Sequence, residues 1–377
     1  MARTIVGLND AKAVKRWSGL LAVDTSRKSY FNKKFMGMGE DSSMPIQMLP
    51  HLENDAGEQI TYDLSIQLRM QPVEGDNVLE GQEEALLFYT DNVYIDQMRG
   101  GVNTGGRMTR KRTLHNLRLI AKRRQSEWWA RCFDELFFMY LSGSRGINAD
   151  YIFPLTYTGF ANNALAAPDY PDHQIFSAIT GGTIPTSKAD ANFTGTNSIM
   201  ALRTIDRLQA KATMMGGGVQ GTPQIQPIMV DGEERYVLVM SPWDEYNLRT
   251  NTNTGQWLDI QKAAASANGN SNPIFKGGLG IYNDTVLHKH KAVIRFSDYG
   301  NGANVAASRS LFMGEQAAVC AFGSPGTGLR YDWHEETRDN GNQVVIATNC
   351  IFGVKKCTFN SKDYGVIAVD SAAADPG

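Results

Sequence analysis

The 377-residue chain reads as an α+β protein, and three stretches carry that reading. Residues 107–141 have the apolar spacing of one long helix, and residues 59–71 alternate apolar and polar side chains as a strand does. From Ile225 onward strand-like runs and hairpins dominate, broken by short helical segments.

Within 107–141, Leu114, Leu117, Ala121, Trp128, Cys132, Leu136 and Met139 recur three, four or seven residues apart and so share one face. No Pro or Gly interrupts the run. Gly105 and Gly106 precede it, Thr109 is placed to cap it, and Gly143 to end it in a left-handed turn. A continuous helix of this length spans about 50 Å at roughly 1.5 Å per residue. Phe133, Phe137, Phe138, Tyr140 and Leu141 make its second half apolar nearly all round, which predicts burial on several sides. The first half is cationic. Arg107, Arg110, Lys111, Arg112, Arg118, Lys122, Arg123, Arg124 and Arg131 oppose only Glu127, a net charge of +8 over 107–131. Several of these cations crowd a helix N-terminus, where the backbone dipole is already positive. An isolated domain gains nothing from that; docking of phosphate or of an acidic protein surface would make it favourable.

A chain of this length that is 42% hydrophobic can bury a sizeable core divided over two or three lobes. No apolar run approaches the roughly 20 residues that span a bilayer, so no membrane segment is expected. The polar, basic first 35 residues do not read as a secretory signal. Cys132, Cys320, Cys350 and Cys357 form no CxxC pair and read as reduced core residues of a cytosolic protein. The formal net charge of −2 is segregated: residues 1–35 carry +6, residues 36–106 carry −11, and the helix returns to +8. A nucleic-acid binder usually carries a basic surplus overall. Opposite blocks that nearly cancel suggest a protein that meets copies of itself.

In chain order, residues 1–52 read as an extended arm with a short helix near 11–21, too poor in periodic apolar residues to fold alone. In 59–71, Ile60, Tyr62, Leu64, Ile66, Leu68 and Met70 alternate with polar residues, and Pro72 with the turn at Glu74, Gly75, Asp76 and Asn77 ends the strand. The apolar stretch 85–95 returns from it, making a long hairpin with an acidic tip (Glu74, Asp76, Glu80, Glu83, Glu84). Two strands are marginal in water, so its apolar side must lie on another surface, a neighbouring subunit's if the hairpin projects from its own domain. Residues 148–197 read as a loop-like surface insertion. Residues 198–215 read as a helix with Ile199, Leu202, Ile205 and Leu208 on one face and Gly216, Gly217 and Gly218 stopping it. Residues 225–230 and 235–240 flank the Asp231-Gly232 turn as a hairpin. Ser241 caps a helix with Pro242 first and Asp244 three residues after the cap. A helix is expected at 257–265, and strands at 274–281, 286–296, 329–333, 344–352 and 365–369.

Chemical sites are weakly signalled. Gly101-Val-Asn-Thr-Gly-Gly106 sits between strand and helix as a phosphate loop would, but Arg107 and Met108 stand where Lys and a hydroxyl residue are needed, so a joint explains the glycines better. His288 and His290 share one side of a strand without a third ligand at suggestive spacing, and read as hydrogen-bonded imidazoles. Asp332, His334, Glu335 and Glu336 come without a nucleophile motif and read as a polar strand edge. The cations of 107–131 spread round the helix rather than forming a stripe with interleaved aromatics, which argues against primary DNA binding. No catalytic residue, metal or cofactor is expected.

One set of runs resembles a known family. These are Leu79-Glu-Gly-Gln-Glu-Glu-Ala-Leu86, Phe88-Tyr89, Ile95-Asp-Gln-Met-Arg99, Met108-Thr-Arg-Lys-Arg-Thr113, Trp128, Asp134 and Leu141-Ser-Gly143. Tyr236 to Met240, Pro242, Leu248-Arg249, Trp257, Asn272-Pro-Ile-Phe275 and Gly278-Leu-Gly280-Ile-Tyr-Asn283 continue them. Over roughly residues 50 to 360 the chain resembles major capsid proteins of the N-four-type podophages, a branch with the Hong Kong 97-type phage capsid fold. Residues 148–197 show no family pattern.

The resemblance implies an N-terminal arm (1–52), an extended-loop hairpin (53–106), a peripheral domain with the spine helix and an insertion (107–215), an axial domain (216–326) and a return to the sheets (327–377). It implies a non-enzymatic shell subunit, in the virion capsid and assembled in the host cytoplasm, forming hexamers and pentamers around double-stranded DNA held non-specifically. A portal and a decoration protein are partners of that class. The hairpin acids, with Ile60, Tyr62, Leu64, Ile66 and Leu68, are then expected to meet a neighbour's basic arm or its spine region with Arg107, Arg110, Lys111, Arg112 and Arg118. Some relatives weld their shells through a Lys of the extended loop joined to an Asn. No Lys lies between Lys34 and Lys111 here, so a non-covalent shell is expected. Only about 50 residues precede the hairpin, too few for a fused scaffolding domain, so a separate scaffolding protein is expected. The alternative is a DNA-binding phage structural or packaging protein that uses the basic helix; a nucleotide-binding enzyme ranks behind both.

Overall fold

A computed structural model describes residues 11–39, 42–53, 56–65, 68, 70–86, 88–215, 224–230, 232–250, 280–324 and 330–377. The helix expected at 257–265, the strand start at 274–279, the glycine stop at 216–218 and Ile66 lie outside the described residues.

The chain opens with α1 (Ala11–Lys28) and α2 (Tyr30–Lys34), then β1 (Met36–Met38) and β2 (Ile46–Leu49). β3 (Gln59–Ser65) and β4 (Phe88–Tyr94) form the hairpin, and β5 (Asp96–Asn103) leads to α3 (Arg107–Arg112) and α4 (Leu117–Ser142). Short strands β6 (Gly159–Phe160), β7 (Asn163–Ala164) and β8 (Gln174–Phe176) precede α5 (Leu202–Met214). There follow β9 (Ile228–Val230), β10 (Glu233–Met240), α6 (Pro242–Thr250), β11 (Gly280–Tyr282), β12 (Thr285–Lys289) and β13 (Ile294–Tyr299). β14 (Val305–Met313), β15 (Ala318–Gly323), β16 (Tyr331–Arg338), β17 (Gln343–Lys356), β18 (Thr358–Phe359), β19 (Lys362–Asp363) and β20 (Val366–Ala372) complete it.

Two mixed sheets result. In the six-stranded one the order is β1-β2-β15-β17-β16, with β5 also on β17; in the eight-stranded one it is β11-β12-β10-β14-β20-β8, with β13 on β14 and β9 on β10. α4 touches both, meeting β5, β15 and β17 of the first and β13, β14 and β20 of the second. One apolar cluster runs through all of them, from Phe31 and Phe35 through Phe133 and Phe137 to Leu311 and Phe352.

Several elements follow the expectations. From Cys132 to Ser142 α4 is buried without interruption, and Gly143 ends it at φ 70°. β9 and β10 pair antiparallel as the expected hairpin, β9 beginning at Ile228 rather than at 225. At α6 the Ser241 Oγ accepts from the Asp244 N–H at 3.1 Å while the Asp244 carboxylate accepts from the Ser241 N–H at 3.3 Å, a reciprocal cap.

Others are corrected. The helix 107–141 is two helices, because Thr113 leaves α3 in extended conformation and Asn116 caps α4 by accepting from the Leu119 N–H. Leu114 therefore lies in the break, 102% exposed, and Thr109 caps nothing. Residues 11–49 are no loose arm: α1 is 18 residues long, and Leu21, Phe31, Phe35, Ile46 and Leu49 are buried. β2 sits between β1 and β15, parallel to both, so its four side chains are buried on both faces and leave no alternating pattern. Residues 148–197 are no surface insertion, since β8 is a sheet strand and Ile175, Phe176 and Phe193 are buried. The helix expected at 198–215 starts at Leu202, and the strand expected at 286–296 breaks between β12 and β13.

Asp134 of α4 holds the α1–α2 junction in place. Its carboxylate accepts from Ser29 Oγ at 2.7 Å, the Tyr30 N–H at 3.0 Å and the Phe31 N–H at 3.2 Å. Burial pushes this carboxyl up to about 6, against the pull of those three donors. Asp134→Ala would strand the donors in a dry site and should lower stability by about 1–3 kcal/mol in denaturant unfolding. The folded chain holds this proton more tightly than the unfolded one, so this group's contribution falls as pH rises from about 4 through about 6. The variant should lose that slope; an unchanged midpoint and slope would reject the anchor.

Candidate subunit-contact surfaces

β3 and β4 pair antiparallel from Gln59 opposite Tyr94 to Ser65 opposite Phe88. Ile60 and Tyr62, two residues apart on one face, are buried with Val93 against Val319, Cys357 and Phe359 of the same chain, and Leu64 packs partly on that cluster. Asp91 fastens this root. Its carboxylate accepts from Tyr62 Oη at 2.9 Å, the Thr358 N–H at 3.2 Å and Thr358 Oγ1 at 3.0 Å, and it pairs with Lys355. The Asn163 side chain accepts from the Tyr94 N–H at 3.0 Å and donates to the Tyr94 carbonyl at 2.8 Å. The sequence expectation for Ile60, Tyr62 and Leu64 is thus corrected, because their own subunit supplies the cover.

The distal part differs. The described strand runs to Ser65; Leu68, Met70 and Gln71 of the expected strand lie outside any strand, and Leu68, Val78, Leu79, Leu86 and Phe88 are each between 50% and 67% exposed. Glu74, Asp76, Glu80 and Glu83 are exposed and meet no cation among the described residues. Glu83 and Glu84 instead brace the tip, accepting from the Gly81 N–H at 2.8 Å and the Met70 N–H at 2.7 Å.

Part of the cationic excess is answered inside the subunit, by two acids far off in sequence and two on the same helix. Arg118 Nε donates to Glu335 Oε1 at 2.6 Å while its guanidinium lies 4.8 Å from the centre of a Trp17 ring. Lys122 pairs with Asp24 at 2.8 Å, and Glu127 takes Arg123 at 3.3 Å and Arg124 at 2.8 Å. Arg131 pairs with Glu135 at 3.4 Å, and Arg110 Nη2 donates to the Asn342 carbonyl at 2.9 Å. Arg107, Lys111 and Arg112 remain, exposed on α3 and without an ion pair among the described residues. Sequence reading found the cations but not Asp24 or Glu335, for which no local signal exists.

The chemical candidates resolve into packing. Trp129 is buried and donates to Thr348 Oγ1 at 2.9 Å, and Trp128 lies over Gly100, where a Cβ would come within 2.7 Å of its ring. Neither indole is free to stack on a base. His288 is buried beside Phe35 and Tyr30; His290 stacks on Phe138 at 5.1 Å and accepts from the Ala292 N–H. Burial, with Lys291 and Lys34 near, holds the His290 ring at about 4, so it is neutral at neutral pH. Glu335 accepts from Trp333 Nε1 as well as from Arg118. At the glycine joint Gly105 has φ 76°, and the Arg107 N–H that a phosphate would need donates to Asn342 Oδ1 at 3.0 Å. Among the described residues no three His, Cys, Asp or Glu are grouped to hold a metal, and no helix is long and apolar enough to cross a membrane.

Residues 5–375 match the family model of phage capsid proteins. The major capsid protein of Pseudomonas phage KPP25 is 28% identical over 361 residues, covering 90% of each chain. The capsid of Ralstonia phage GP4 superposes over 100% of both chains with a TM-score of 0.85 at 49% identity. The capsid asymmetric unit of cyanophage Pam1 gives 0.68 at 20% identity over 93% of this chain and 94% of that one, a likeness of fold. With a match that runs almost from end to end, this chain belongs to the family of phage major capsid proteins.

Proposed function

We propose that the subunit has the Hong Kong 97-type fold of the N-four-type podophage branch and assembles as hexamers and pentamers into an icosahedral head around double-stranded DNA. The observation that carries this is the contrast along one hairpin. Its root is sealed and bonded within the subunit, whereas its tip presents exposed apolar side chains and four acids that meet no cation among the described residues. A stretch of that composition gains stability when another copy covers it. In this reading the six-stranded sheet with α4 is the peripheral domain and the eight-stranded sheet with α5 and α6 is the axial domain, which moves α5 out of the stretch 107–215 that the resemblance gives to the peripheral domain. The DNA-binding alternative is disfavoured because the two tryptophans beside the cations are already packed.

The tip is read as lying over the next subunit with its acids near that subunit's Arg107, Lys111 and Arg112. Arg110 and Arg118 contribute less, being engaged at home. Each exposed pair is worth only about 0.2–1 kcal/mol, so the effect comes from repetition round the shell. Changing Arg107, Lys111 and Arg112 together to Glu should abolish closed shells in electron micrographs. Changing Glu74, Asp76, Glu80 and Glu83 to Lys in the same chain should restore them. Wild-type shell yields from the triple variant would sink the pairing.

With no Lys between Lys34 and Lys111, the shell is read as non-covalent, and mature particles should run as a single subunit band on a denaturing gel. A ladder of linked subunits would contradict this. A separate scaffolding protein is the remaining partner: expressed alone, the chain should give open or misshapen assemblies, and uniform closed shells of phage size would remove the need for it.

A further inference from the structure

The two most cationic stretches of the sequence lie side by side. α1 and α4 run in the same direction, with Arg118 against Trp17, Lys122 paired to Asp24 at 2.8 Å and Lys28 donating to Ser126 Oγ at 2.7 Å. These contacts place residues 17, 24 and 28 of one helix on 118, 122 and 126 of the other. Helical spacing then sets Leu20, three after Trp17 and four before Asp24, on the border of this seam. Leu119, three before Lys122, borders it from the other side. Both look outward, 40% and 52% exposed, and Val23, 47% exposed, lies beyond Leu20 on the crest of α1. Arg27 and Arg123 flank it, and both are exposed.

We propose that this outer seam is a docking groove for an acidic amphipathic helix of a separate protein. Two parallel helices leave a groove whose complement is a third helix, its apolar stripe set on Leu20 and Leu119. Arg27 meets no acid among the described residues, and Glu127 is shared by Lys28, Arg123 and Arg124, so the cationic excess calls for acids along the flanks of that stripe. A nucleic acid would satisfy the cations and leave the leucines in water. The hairpin tip of a second copy has suitable charge but carries no regular secondary structure with which to fill a helical groove.

The test uses the full chain as unassembled subunits and a fluorescent synthetic helix of about 20 residues, with Leu at i, i+3, i+4 and i+7 and Glu beside them. Anisotropy should report saturable binding that weakens about tenfold or more in Leu119→Glu and in Leu20→Glu. Circular dichroism melts should show both variants folded as wild type, since both positions are exposed. The same helix with Lys in place of Glu should not bind. Binding indifferent to both substitutions overturns the proposal. So does displacement of the probe by a peptide of residues 71–86, which would make a second copy the occupant, or by a short DNA duplex, which would make it a nucleic acid.

Discussion

Every residue of α4 from Cys132 to Ser142 is buried, and the architecture answers to that one condition. A helix with no polar side cannot rest on a single sheet; it must be covered all round. The six-stranded sheet covers it with Phe322 and Phe352, the latter 4.6 Å from Phe133 between ring centres. The α1–α2 region brings Phe31 to within 4.8 Å of Phe138, and Tyr140 donates to the Asn163 carbonyl at 2.7 Å, which binds the loop 148–197 to the same helix. Each large apolar side chain so buried is worth about 1.5–3 kcal/mol. Withdrawing any one cover would expose several at once, so the N-terminal segment and the loop are structural parts rather than appendages.

The second sheet is tied to the end of that helix by charge. Arg309 Nε and Nη2 donate to the two oxygens of Asp370 at 2.7 and 2.9 Å, Nη2 also reaches Tyr299 Oη at 3.0 Å, and Nη1 donates to the Ser142 carbonyl at 2.9 Å. One buried guanidinium thus joins β14, β20, β13 and the last turn of α4. Such a pair adds little net stability over an apolar core, but removing one partner is costly, and its geometry is directional. It aligns the eight-stranded sheet on the helix in a way that apolar contact alone does not. Asp244, buried under Ser241, Ser308 and Ser371, plays the same part between α6 and the sheet.

Local signals were legible wherever the chain's own neighbours decide conformation. The alternation of Ile60, Tyr62 and Leu64, the apolar density of 132–141, the left-handed Gly143 and the Ser241 cap could all be read in the sequence. The break at 113–116 could not, because Leu114 falls on the heptad-like spacing by position while its side chain stands in solvent. Nor could the burial of Ile46 and Leu49, whose strand has only four residues between parallel partners. Asp91, Asn163 and Glu335 act through partners tens to hundreds of residues away, and nothing near them in sequence announces it. Of the candidate contact residues, Ile60 and Tyr62 are covered by Val319 of β15, Cys357 and Phe359 of β18, which lie far downstream and which no pattern near the hairpin announces.

The same division of forces bears on association. Contacts inside the subunit are deep, apolar and directional, so its shape is set before it meets another copy. Among the described residues, what is left outside is shallow: a hairpin tip with separated apolar side chains, three cations without an ion pair on a six-residue helix, and a thin strip along α1 and α4. Each is worth little by itself, and exposed ion pairs weaken further with salt. In the proposed shell that weakness is an advantage, since a misplaced subunit held by a few such contacts can leave, whereas one held by all of them at once cannot. A rigid interior makes the contacts add; a flexible one would let each form at the expense of the others.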